Sequence, residues 1–88
     1  MNEIRILGLY INHKSKDEAV KLQNILSKYG CIIRTRLGLN NMDENYNSKN
    51  GLIILELVGP MEEILHLENE LININGLQID RMIFISER

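Results

Sequence analysis

Two stretches of helical period, residues 16–29 and 61–74, each stand between runs of branched aliphatic residues. That alternation constrains the chain more than any motif in it. The first run, "IRILGLYI" at 4–11, is broken only by Gly8 and reads as a strand. Ser15 and Glu18 have the spacing of a capping box. The helix that follows places Ala19, Leu22, Leu26 and Tyr29 on one face, widened by Ile25, and Gly30 stops it. "CIIRTRLGL" at 31–39 then alternates as a second strand, with Cys31, Ile33, Thr35, Leu37 and Leu39 on one side. A polar stretch, "NNMDENYNSKN" at 40–50, is longer than a hairpin needs.

"GLIILELVG" is the third strand, and Pro60 suits a first helical position. The second helix buries Ile64, Leu67, Leu71 and Ile74, with Leu65 and Ile72 beside them. Asn75 and Gly76 end it before the fourth strand, "LQIDRMIFI". The order β-α-β-β-α-β with right-handed crossovers predicts an α+β fold, the ferredoxin-like sandwich. Its four-stranded antiparallel sheet has strands 1 and 3 inside, 2 and 4 at the edges, and both helices on one face. Eighty-eight residues suit one domain, 1–88, with little margin of stability of its own.

Strict alternation sends Ile33, Leu37, Ile53, Leu55 and Leu57 toward the helices. Ile32, Arg34, Arg36, Leu52, Ile54, Glu56 and Val58 then face away, joined by Ile6, Tyr10, Met82 and Phe84. A one-sided sheet should be polar there, and this one is largely apolar. The expectation is an oligomer interface that includes Ile32, Arg34, Leu52, Ile54, Met82 and Phe84, in a homodimer or larger homo-oligomer. The same alternation sets Arg34 opposite Glu56 and Arg36 opposite Ile54, with Leu39 opposite Gly51. For the arginine pair three readings stay open. The first is a cross-strand ion pair and a protected sheet edge. The second is an anion or ligand contact near Gly38, and the third is nucleic acid, for which no aromatic platform is present. A net charge of −2 argues against a nucleic-acid-coating surface.

Chemistry is sparse. His13 and His66 are isolated, and a single cysteine, Cys31, excludes an internal disulfide and a multi-cysteine zinc site. Cys31 reads as a buried small hydrophobe at the start of strand 2. Asp17, Glu18, Glu62 and Glu63 lie in first helical turns, where they suit the dipole. No phosphate loop, dinucleotide fingerprint or nucleophile elbow occurs. No enzyme, cofactor, metal or membrane span is expected, and the chain reads as cytoplasmic. Gly8 and Asn12 could shape a small pocket at the junction of strand 1 and helix 1.

Arg36-x-Gly38, Gly51-Leu52-Ile53 and Ile74-x-Gly76, with "ELININGLQIDRMIF" around the last, carry a resemblance over nearly the whole chain. The sequence resembles the iron-only hydrogenase system regulators, small bacterial proteins with an ACT-like, ferredoxin-like fold. The resemblance implies a role beside [FeFe]-hydrogenase maturation or expression, ACT-like oligomerisation, and a small effector. It implies Asn12, Arg36 and Gly38 as ligand-binding candidates. The fold is also that of the C-terminal domain of nickel-responsive repressors. This sequence lacks that domain's paired strand histidines, and it has no room for a separate DNA-binding segment. A non-enzymatic regulatory domain is the first reading. An assembly module without a ligand is the second, and a metal-responsive DNA-binding regulator the last.

Overall fold

The computed structural model describes residues 2–12, 16–39 and 50–86. Strand β1 (Asn2–Asn12) leads to helix α1 (Lys16–Lys28), a 3₁₀ turn (Gly30–Ile32) and β2 (Ile33–Leu39). Strand β3 (Asn50–Leu57), helix α2 (Met61–Ile72) and β4 (Leu77–Ser86) follow. The sheet order is β2-β3-β1-β4, antiparallel throughout, so the βαββαβ sandwich is as the sequence predicts. Ser15, His13 and the 40–49 segment lie outside the described residues.

The core is the layer between sheet and helices. Leu7, Leu9, Ile11, Ile53, Leu55 and Leu57 from the two inner strands meet Leu22 and Leu26 of α1 and Ile64, Leu67, Leu71 and Ile74 from α2 and its end. Leu65 and Ile72, expected beside that stripe, are exposed instead. Each sits a residue outside the arc that can reach the sheet. Pro60 is the residue before α2 rather than its first, and its carbonyl accepts from the Glu63 and Ile64 amides.

Simple alternation fails at strand 2, in two places. The chain does not enter β2 at Cys31. A 3₁₀ turn over Gly30–Ile32 leaves Cys31 exposed and swings Ile32 into the core, where its carbonyl accepts from the Val58 amide at 2.9 Å. Ile32 is therefore no interface residue, and Cys31 is not buried. Then β2 carries a bulge. Ile33 pairs with Leu57, but Thr35 pairs with Glu56, so Arg34 is an extra residue in the ladder. One inserted residue flips every later side chain to the opposite face. Arg36 accordingly lies opposite Leu55 on the helix side, and Leu37 opposite Ile54 on the other. Glu56 is met by Thr35, whose hydroxyl donates to Oε1 at 2.9 Å, and not by Arg34.

Gly59 makes the buried turn possible. It sits at φ +125°, and a Cβ there would lie 3.1 Å from Ile32 Cγ2. Gly59→Ala combines backbone strain with a clash, and should cost about 1–3 kcal/mol in urea unfolding. An unchanged midpoint would contradict the packing of Ile32 beneath this turn.

The helices are also tied by polar contacts. The Tyr29 hydroxyl donates to Glu70 Oε2, and Lys28 Nζ reaches the same carboxylate at 3.1 Å. The hydrogen bond to Glu70 pushes the Tyr29 phenol up to about 12, with burial and the carboxylate's charge adding to it. In return the Tyr29 bond, then Lys28, holds the Glu70 carboxyl below its ordinary value. The stability tied to Glu70 is thus present above the ordinary carboxylate range and lost as pH falls. That tied to Tyr29 is present below its ordinary value of 10 and lost as pH rises through about 12. The absorbance difference between the wild type and Tyr29→Phe should titrate near 12; a midpoint near 10 would mean that the contact does not persist in solution.

Candidate functional site

The sheet face without helices has four cross-strand levels. Phe84 stands opposite Ile4, and Ile6 lies between Met82 and Glu56. Gly8 lies between Asp80 and Ile54, and Tyr10 between Gln78 and Leu52. Beyond Ile54 and Glu56, the bulge brings Leu37 and Thr35 onto the same face. Phe84, Met82 and Leu37 are each more than half exposed. Leu52, Ile54, Met82 and Phe84 therefore share one apolar surface, as the alternation of strands 3 and 4 predicts. Arg34 is exposed in the bulge at its margin.

The middle of this face is hollow because Gly8 has no side chain. Gly8, Tyr10, Leu52, Gln78, Ile79 and Asp80 line a shallow depression of about 210 Å³. Its wall is mostly apolar, with Asp80, Gln78 and Tyr10 as the polar residues that line it. Asp80 Oδ1 accepts from the Arg81 amide at 2.9 Å. Asp80 and Gln78 escaped the sequence reading, although stepping back by twos from Met82 reaches both.

The ligand candidates do not converge. Gly38 lies opposite Ile53 on β3, which faces Leu9 of β1, three residues short of Asn12. Arg36 lies level with Leu7, five residues, or about 17 Å, from Asn12 along the strand direction. The Arg36 guanidinium turns to α1 and donates to Gln23 Oε1. Nothing lies within 4 Å of a Cβ position at Gly38. His66 is exposed on α2, and among the described residues no three His, Cys, Asp or Glu side chains could hold a metal ion. Among those residues, too, no helix is long and apolar enough to cross a membrane.

On the helix side a charged cluster replaces the core at one end. Arg5 shares the parity of Leu7 and Leu9 and is 7% exposed. Its Nη1 donates to Glu68 Oε2 of α2 at 3.0 Å and its Nε to Glu3 at 3.1 Å, while Arg81 Nε reaches Glu68 Oε1 at 3.2 Å. An arginine in phase with buried leucines was the sequence signal for it. The partner, 63 residues away, had none. Removing one member of a buried pair leaves an uncompensated charge, so Glu68→Ala should cost about 3–5 kcal/mol. The Arg5→Met/Glu68→Met double variant should recover more than half of that loss; additive losses would show that the two groups do not act together.

Solved structures of the same fold resemble the whole chain. The uncharacterized protein TM1266 from Thermotoga maritima superposes with a TM-score of 0.78 at 19% identity, over 94% of this chain and 99% of that one. The ACT domain of a GTP pyrophosphokinase from Chlorobium tepidum gives 0.67 at 14% identity, over 93% and 100%. SnoaB, a cofactor-independent oxygenase from Streptomyces nogalater, gives 0.61 at 5% identity, over 100% and 96%. No protein-family model and no curated protein matches the chain. The fold is ACT-like and ferredoxin-like.

Proposed function

We propose that this chain is a small non-enzymatic regulatory domain that associates with copies of itself through its open sheet face and takes a small effector there. The observation that carries the reading is the apolar surface around Ile54, Met82 and Phe84, with a hollow at Gly8. Contiguous apolar surface of this kind marks an interaction site. The hollow is shallow, and smaller than the roughly 300–1,000 Å³ of ordinary ligand pockets, so a second subunit would have to close it. Asp80, Gln78 and Tyr10 then offer hydrogen-bond acceptors to a ligand that brings donors, such as an amino group. Arg36 and Gly38 are proposed as a separate contact for an anionic group beside α1, and Asn12 as a contact at the end of β1.

Likeness in fold to an ACT domain supports the regulatory part of the reading. The sequence resemblance to the iron-only hydrogenase system regulators suggests the process, maturation or expression of an [FeFe]-hydrogenase. The same fold also serves an oxygenase, so the fold alone does not separate regulator from enzyme.

Sedimentation at micromolar concentration should give a dimer or larger species, and Ile54→Lys should lower its order by removing the contacts made through the open face. A wild-type monomer would remove the interface from the proposal. A thermal-shift panel of amino acids, nucleotides and divalent metals addresses the effector. A ligand at a hundred times its dissociation constant adds about 2.7 kcal/mol, worth more than roughly 10 °C in so small a domain. Asp80→Asn should abolish the shift without unfolding the protein. A flat panel would leave an assembly module without a ligand.

A further inference from the structure

The open face carries charge of one sign. Among the even-numbered residues of β1, β3 and β4, which form it, Glu56 and Asp80 are acidic and none is basic. Past its bulge, β2 adds Thr35 and Leu37, both uncharged. Arg34 stands in the bulge beyond β3, three strand spacings, or about 14 Å, from the line of Asp80. The two acids are not equivalent. Glu56 takes the Thr35 hydroxyl and stands beside Ile6, outside the hollow. Asp80 lines the hollow. Its Oδ1 takes the Arg81 amide, and its Oδ2 is an acceptor for whatever enters.

We infer that the Gly8 hollow takes a free aliphatic amine in its protonated form, with about six carbons and no carboxylate. The inference rests on the proposed reading that an effector binds this face, and adds its chemical class. An ammonium group has three donors and no acceptor. Asp80, Gln78 and Tyr10 supply a carboxylate, an amide oxygen and a phenol oxygen to match them, and the bond to Asp80 is charge-assisted. A volume of about 210 Å³ equals the share of about seven waters, which is room for one nitrogen and six carbons. Leu52, Ile79 and the bare backbone of Gly8 give those carbons their wall. An anion would meet the charge of Asp80. An α-amino acid would set its carboxylate on a face with no described cation to receive it. A divalent metal ion needs several oxygen ligands, and this wall is mostly apolar. A second copy closing the hollow would bring its own Asp80 and Glu56 and no described basic residue. The ammonium therefore also offsets the cost of burying carboxylates there.

Amide resonances of the isotope-labelled full chain test it at neutral pH, read at Gly8 and Asp80 while each probe is titrated into the millimolar range. n-Hexylamine should give saturating shifts there. Its dissociation constant should be at least about tenfold below that of n-hexanol, since a charge-assisted hydrogen bond replaces a neutral one. Hexanoate, norleucine and magnesium chloride should give no saturating shift. Asp80→Asn keeps the acceptor for the Arg81 amide. It should erase the preference for amine over alcohol and leave the alcohol's affinity unchanged. Gly8→Ala fits the sheet, its Cβ meeting Ile54 Cδ1 at 3.9 Å and the Asp80 carbonyl oxygen at 4.0 Å. It should weaken amine and alcohol by the same factor. Equal affinity for amine and alcohol, saturation by norleucine or magnesium as readily as by the amine, or a preference that survives Asp80→Asn would overturn the inference while leaving a ligand in the hollow. Silence from the whole panel would overturn it together with the effector part of the proposed function. Tighter binding of Nα-acetyl-lysine methylamide than of hexylamine would overturn the free amine in favour of a partner's lysine side chain.

Discussion

A sheet has two faces, and the two helices of this chain cover one. Everything else about the molecule answers to that shortage of cover. The inner strands β1 and β3 supply fully buried leucines to the covered side, where α1 and α2 close over them. Their other side keeps Ile4, Ile6, Ile54 and Leu52 only partly buried, because among the described residues no further element packs there. A domain of this length has little surplus stability, so leaving aliphatic side chains half in water is a standing cost unless another surface removes it. The Gly8 hollow has the same origin. A glycine between Asp80 and Ile54 opens space on a face that no other described element covers.

The order of elements, the strand order and the core positions of β3 and of the two helices' buried stripes could be read from the sequence, since each rests on local periodicity repeated over several residues. The apolar character of Leu52, Ile54, Met82 and Phe84 on the open face was legible for the same reason. Their strands, β3 and β4, pair with β1 without a slip. Strand 2 was not legible. A bulge changes parity by one residue, and nothing in "IIRTRLG" marks Arg34, rather than a neighbour, as the extra one. Its consequence is large, because Arg36 moves from the open face to Gln23 on α1 and Leu37 takes its place. The turn that buries Ile32 was hidden too. It depends on Gly59, which comes near only after the chain has gone out and back.

Ion pairs between distant segments were invisible for a related reason. Periodicity shows that Arg5 is inward, but it is silent on which acid meets it. The pairing with Glu68 is an agreement between β1 and α2, and Arg81 adds β4 to it. Such a cluster is weak evidence for stability, since well-packed apolar groups often do as well or better. Its position suggests another use. It joins a residue within α2 to β1 and β4, and it holds the three elements in one mutual register.

That placement bears on how the uncovered parts of the sheet are presented. Past the cluster, β4 continues as Met82, Ile83, Phe84 and Ile85, each about half exposed. Were the register of β4 against β1 free to slip by one residue, the strand's two apolar faces would exchange, with modest loss at its end. Asp80 would then leave the Gly8 hollow for the helix side. Arg81 would turn away from Glu68 at the same moment, leaving a carboxylate that is 7% exposed with Arg5 alone. The charged contact penalises the slip where hydrophobic burial cannot, because residues 82–85 are apolar whichever face they take. An ionic anchor followed by an apolar edge therefore yields a strand that is open to association yet presented in a single register.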